Sequence, residues 1–359
     1  MPNNPEVPWT DEQWARVNQV IQEEAGRARI AASFLPLYGP LPPDTDFIRR
    51  EEMEDHQGPI KVGDREIIQL ATLQVRVSLR GAQIADPEMK SPLALFRRAA
   101  NVLGRLEDAI VFNGQDGPGQ GPPYGAPPQG NPPHYIWEVH GGQESLGLFR
   151  GARHHQLVGY VDTPIGRDYD LVKAVSSAIG RLEKAGYFGP FAVVLGQRFF
   201  LAAQTPSIGI VLPQDRIIPF LGGGPLLRST TLRPRQGVVV ALGGSPVELV
   251  IAKDASLQFL QLTDHPRYHF RVYEKMALRI KARDAIMRLV ADPAAVRAVG
   301  EEPSPEEEEE ELAQEAGGEP PAPKSERTHV TAEARQPQRR SVPRKTRRAK
   351  KRVRVLSRG

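Results

Sequence analysis

Apolar residues recur along this chain with two different periods. Trp14, Val17 and Ile21 share one helical face, with Glu23 and Glu24 toward water, and Thr10 followed by Gln13 makes a capping-box pattern. The spacing predicts a helix over 11–32. Gly39-Pro40 and Pro42-Pro43 then interrupt regular structure. In a hairpin-like region beyond them, Leu73, Val75, Val77 and Leu79 alternate with Gln74, Arg76 and Ser78, the pattern of a half-buried strand. Ser91 as cap and Pro92 in the first turn open a second, long helix that ends before Gly114. Its apolar face includes Leu95, Phe96, Ala99, Leu103, Leu106 and Ile110.

A third helix is expected over 168–185, carrying Leu171, Val172, Val175, Ile179 and Leu182 and closed by Gly186. Phe191–Leu195 reads as a buried strand, and shorter β runs follow at Val238–Leu242 and Val247–Ala252. In a last, long strand Phe270, Val272, Met276, Leu278 and Ile280 face one way, and Arg271, Lys275, Arg279 and Lys281 the other. Such content is mixed α+β. The Gly/Pro/Gln-rich run Gly114–Gly130 around Tyr124 is expected to be a long mobile loop. The longest apolar stretches are about ten residues, well short of the ~20 that span a bilayer.

Charge changes this picture only at the end. The body stops near Val299. Residues 300–323 carry ten acids and no Lys or Arg, whereas 324–359 carry fourteen Lys or Arg against two Glu, a net charge of +12. The 1–299 body is nearly neutral, so the overall +4 and the pI of 9.3 describe the tail alone. With few apolar residues and no aromatic ones, 300–359 cannot bury enough surface to offset its ordering entropy, and it is expected to be disordered. Arg339, Arg340, Arg344, Lys345, Arg347, Arg348, Lys350, Lys351 and Arg352 are candidates for binding nucleic acid or another anionic surface.

Candidate chemistry is sparse. With no cysteine, disulfides and thiolate metal sites are excluded. His134/His140 and His154-His155 lack partners at metal-ligand spacing and read as loop histidines. Gly222-Gly223-Gly224 has no following Lys-Ser/Thr and reads as a loop closing a helix. No serine sits in a nucleophile elbow. Neither an enzyme nor a metal site is expected. The N-terminus lacks a basic-then-apolar leader pattern, so a cytoplasmic protein is expected.

Several stretches resemble a known family. Trp14 through Leu37-Tyr38-Gly39-Pro40 is similar to the N-terminal arm of family 1 encapsulins. Leu106-Glu107-Asp108-Ala109-Ile110-Val111-Phe112-Asn113-Gly114 resembles that family's acidic helix end. Tyr187-Phe188-Gly189-Pro190-Phe191-Ala192-Val193-Val194-Leu195 resembles its Gly-Pro strand. Phe270-Arg271-Val272-Tyr273-Glu274 and Asp284-Ala285-Ile286 also fit. Order and spacing over roughly 8–290 carry the likeness.

The resemblance implies the Hong Kong 97-type phage capsid fold, with a peripheral domain and its long spine helix, an axial domain and an extended E-loop. Mapped here, 1–45 is the arm, 46–82 the E-loop hairpin, 83–299 the peripheral and axial domains (axial about 190–245), 300–323 an acidic linker and 324–359 a basic tail. The spine helix maps to 168–185. The implied function is a self-assembling, non-enzymatic shell subunit of a nanocompartment. About sixty copies, or a small multiple, would close around a cargo enzyme. Family cargos are ferritin-like iron oxidases and dye-decolorising peroxidases, so the implied setting is iron storage or oxidative stress. Cargo would carry a terminal targeting peptide that docks on Trp14, Val17, Ile21 and Arg29, although packing on the subunit's own body is the alternative for that face. Where relatives with well-defined grooves carry an Arg and an Asp, this arm holds Ala32 and Pro36. Thr205, Pro206 and Ser207 map to the pore loop. Leu79–Ile84 has no aromatic residue, so no flavin is expected, and iron would enter only with cargo. The runner-up is a phage or prophage capsid protein packaging nucleic acid.

Overall fold

The computed structural model describes residues 6–54, 61–63, 66–129, 136–163, 166–206, 211–263 and 267–293. The chain divides into two units after Pro303, and every described residue belongs to the first. In chain order they form α1 (Asp11–Ala28), β1 (Leu37–Tyr38), β2 (Phe47–Arg49), β3 (Glu52–Glu54), β4 (Lys61–Gly63), β5 (Ile67–Gln69), β6 (Ala71–Arg80), α2 (Gly81–Ile84), α3 (Lys90–Asn113), β7 (Trp137–Gly141), α4 (Gly147–Gly151) and β8 (His154–Val158). Then come β9 (Tyr160–Thr163), β10 (Gly166–Tyr169), α5 (Leu171–Lys184), β11 (Phe191–Leu195), α6 (Gln197–Gln204), α7 (Pro213–Ile217), β12 (Leu226–Arg228), β13 (Gln236–Ala241), β14 (Val247–Thr263), β15 (Arg267–Ile280) and β16 (Ile286–Ala291).

Two five-stranded sheets organise the body. The first has the order β1-β14-β15-β6-β7, and the second β12-β11-β13-β16-β8. The first is built on the long β14–β15 hairpin, whose pairing shifts register near Lys253 and Phe259. β6 runs antiparallel along β15 from Ala71 opposite Met276 to Arg80 opposite Arg267. Its alternation puts Leu73, Val75, Val77 and Leu79 into the core shared with α1 and α3. There Phe96, Leu103, Leu106 and Phe270 are fully buried, each contributing about 1.5–3 kcal/mol. Trp9 stacks on Phe270 at 5.3 Å and donates its indole N–H to Ile84 O.

The second sheet is apolar on both faces. Val193, Leu195, Val239, Ala241, Met287 and Leu289 pack under α5, α6 and α7. Ala192, Val194, Val238, Val240 and Ile286 join the first core. This double covering is why β11 and β13 read as unbroken apolar runs instead of alternating ones.

The structure corrects several expectations. α1 stops at Ala28, not Ala32. Ser91 does not cap α3; the helix starts at Lys90 after left-handed Met89, and the Asp86 carboxylate accepts from the Glu88 and Lys90 amides. Leu95 points to solvent, 39% exposed. The helix expected over 168–185 is α5, 14 residues from Leu171 to Lys184, while α3 is the longest helix among the described residues, with 24. The segment 46–82 is not one free hairpin, because β6 is an interior strand; only 46–70, with the ladders β2–β5 and β3–β4, stands apart.

The run 114–129 is tied down as well. Asn113 Nδ2 donates to Tyr124 O and Thr231 O, Trp137 Nε1 donates to Pro127 O, and Arg233 lies over the Tyr124 ring. At Gly125, with φ +75°, a Cβ would sit 2.3 Å from Thr231 O, so glycine is required there. The expectation for Gly222 holds: left-handed, it ends a short 3₁₀ turn over Ile218–Leu221.

Candidate functional site

The arm is fixed to the body at the end of α1. Arg29 is the residue at which the helix terminates, and its guanidinium reaches three carboxylates. Nε lies 2.5 Å from Glu107 Oε2, Nη1 donates to Asp254 Oδ1 at 2.8 Å, and Nη2 donates to Glu274 Oε2. Beside it, Asp108 accepts from the amides of Ile30 (2.9 and 3.0 Å) and Ala31 (2.8 Å). These amides are among the groups a continuing helix would have used internally, so Asp108 sets the helix end.

Glu107, Asp108 and Glu274 are all buried. Burial pushes the Asp108 carboxyl up to about 7, against the pull of the Ala31 and Ile30 amides and Arg29. Burial also raises Glu107 well above the usual carboxylate range, reinforced by the charge of Glu274. Glu274 is raised by burial as well, with Arg29 opposing. For Arg29, burial disfavours the charge, but Glu274, Glu107 and Asp254 outweigh it and hold the guanidinium ionised.

Of the four residues proposed to dock cargo, little is free to do so. Val17 and Ile21 are completely buried against the subunit's own core. Trp14 is half-buried, edge-on to Trp9 at 5.1 Å. Arg29 is committed to its carboxylates. Amphipathic spacing identified the buried face of α1 but not what covers it, and what covers it is this chain.

Thr205 ends α6, donating its hydroxyl to Leu201 O, and Pro206 is exposed. Ser207 lies outside the described residues, as do His134 and the basic positions 339–352. His154 pairs with Asp284 at 3.2 Å and His140 with Glu138 at 3.2 Å. Among the described residues no group of three His, Asp or Glu side chains could hold a metal.

The feature that spacing did not reveal is exposed apolar surface. On the hairpin Phe47 is 53%, Val62 58% and Ile67 57% exposed. Ile68, Leu70 and partly buried Leu41 and Ile48 anchor its base on Val250, Ala252 and Ala277, and Met53 packs on the second core with its amide donating to Lys281 O. Phe188, Leu201, Val211, Ile218 and Phe220 are exposed around α6 and α7, as are Leu260 and Leu262 toward the end of β14. Large apolar side chains grouped in water in this way are the kind of surface at which proteins meet a partner.

Comparison with known proteins gives the same direction. The sequence model of a family described as encapsulating protein for peroxidase matches residues 3–120 and 142–277. β7 lies almost wholly between those stretches. The type 1 encapsulin shell protein EncA of Myxococcus xanthus (strain DK1622) is 25% identical over 309 residues, spanning 81% of this chain and 97% of EncA. The virus-like particle of Pyrococcus furiosus superposes with a TM-score of 0.55 at 14% identity, covering 77% of this chain and 99% of that one. The holo-SrpI encapsulin complex from Synechococcus elongatus PCC 7942 gives a TM-score of 0.48 at 13% identity, over 81% of this chain and 92% of that one. The fold is the Hong Kong 97-type capsid fold expected above. With its arm, its acidic helix end and most of its first sheet inside the matched stretches, the chain belongs to the family of encapsulating proteins for peroxidase, the type 1 encapsulin shell proteins.

Proposed function

We propose that copies of this subunit close into an icosahedral compartment of about sixty chains, or a small multiple, around a cargo enzyme of the peroxidase or ferritin-like iron-oxidase class. The observation that carries this reading is a family match over residues 3–120 and 142–277, joined to a hairpin on which Phe47, Val62 and Ile67 stay exposed among the described residues. The chain acts as container, with no catalytic role and no cofactor of its own, in the cytoplasm. Residues 1–45 serve as arm, 46–70 as the E-loop and about 190–245 as the axial domain, with Thr205, Pro206 and Ser207 near its pore.

Cargo enters by a terminal peptide. Because Val17 and Ile21 are used internally, that peptide meets partly exposed positions such as Trp14 and Val20 at the rim of α1. Weak docking suffices, since confinement keeps the local concentration high. The basic tail, through Arg339, Arg340, Arg344, Lys345, Arg347, Arg348, Lys350, Lys351 and Arg352, takes up an anionic partner by counterion release.

Electron microscopy and composition of the particle purified from its native cell test the proposal. Hollow shells holding a co-purified enzyme are expected. Particles filled with nucleic acid, with the matching absorbance ratio, would instead support the capsid reading that the basic tail favours.

A further inference from the structure

Three fully buried carboxyls, Glu107 and Asp108 from α3 and Glu274 from β15, face a single guanidinium, Arg29, with half-exposed Asp254 of β14 as the only other charged group touching it among the described residues. If all were ionised, the cluster would enclose a net negative charge away from water, which is strongly unfavourable. The hydrogen bonds point to the resolution. Asp108 is satisfied by two backbone amides. Beyond the ion contact to Arg29, neither oxygen of Glu107 accepts a hydrogen bond among the described residues, nor does Oε1 of Glu274. Two carboxyls side by side with unused oxygens satisfy each other only when one carries a proton and donates it.

We propose that Glu107 and Glu274 share one proton, and that this proton latches the N-terminal arm to the body. With it in place, Arg29 balances the single charge left on the pair, and α1 is held through Arg29, Ile30 and Ala31. Raising the pH transfers the proton to solvent, leaves two adjacent buried carboxylates under one guanidinium, and loosens the arm.

The direction follows from linkage. In the unfolded chain both glutamates ionise near 4.3. The folded pair keeps a proton to higher pH, so the native state binds more protons than the unfolded one. Its stabilising contribution is complete below about pH 4 and is lost as pH rises through the folded titration. Asp108, pushed up to about 7, adds the same sign of dependence in the wild type and in the variant Glu107→Gln alike, so the difference between the two proteins reports the pair.

Glu107→Gln keeps the donor and the shape of the protonated acid while removing its titration. From about pH 5 upward, until the folded pair has lost its proton, the thermal midpoint of wild-type particles is expected to fall by roughly 3–5 °C per pH unit more than that of E107Q, and E107Q is the more stable at the alkaline end. A constant loss in E107Q with unchanged slope would show an ordinary ionised partner of Arg29 and overturn the latch. Should E107Q fail to fold, infrared spectroscopy of the wild type decides. A buried carboxylic-acid carbonyl band that persists at pH 7.5 and vanishes on alkalinisation supports the shared proton; no such band at pH 7.5 refutes it. Neither readout depends on cargo or on shell geometry.

Discussion

The N-terminal arm buries Val17, Ile21 and Ala25 completely, whereas the hairpin that follows it leaves Phe47, Val62 and Ile67 largely in water. Both are extensions of the same sheet. The arm is finished inside its own subunit: a capping box starts α1, α3 and β14 cover its apolar face, and Arg29 locks its end. The hairpin has two short ladders and a small anchor at its base. An isolated two-stranded ribbon is marginal in water, so its stability must come from a surface supplied by another copy. The difference teaches where folding ends and assembly begins in this chain.

The sharpest way to break that comparison is to make the hairpin polar. Phe47→Ser with Ile67→Ser is expected to abolish particles in size-exclusion chromatography and microscopy. It should change the stability of the soluble subunit by no more than about 0.5 kcal/mol, as for other exposed positions. A variant that still assembled would remove the hairpin from the interface. The converse change is Arg29→Ala, which leaves buried carboxyls uncompensated and should cost about 3–5 kcal/mol in subunit unfolding by denaturant. Loss of soluble protein is the expected extreme. Thr10→Ala removes only the cap of α1 and should cost about 0.5–2 kcal/mol, seen as faster amide exchange in the first turn with shells intact. Deleting 300–359 is expected to leave both particle yield and thermal midpoint unchanged; failure to assemble would move the boundary of the body.

The comparison also shows what spacing along a chain conveys. The start of α1 was legible because Thr10 and Gln13 act on each other three residues apart. Its end was not, since Asp108 and Glu107 act from α3, far along the chain, and nothing local marks Arg29 as their partner. Alternation in β6 announced a half-buried strand but not that β15 and β7 flank it, so it was assigned to the hairpin. Glycine and proline in 114–129 suggested motion, yet hydrogen bonds from Asn113 and Trp137 hold the run in place. The exposed Phe47 and Ile67 look like ordinary strand residues in one dimension. Only their exposure among the described residues sets them apart.

Strand β7 has a consequence of its own. It lies almost entirely between the two stretches that match the family, and it adds a ladder to β6 at the border of the first sheet. Its outer rim is occupied by the chain itself: Gln129 bonds both the N–H and the C=O of Trp137, and Gly119 and Gln115 donate to Gly141 O. With those peptide groups already taken, the margin has little left to offer a strand from outside. An open edge of sheet is where chains zip together without limit, and here the loop before β7 acts as the hem that keeps this border from growing.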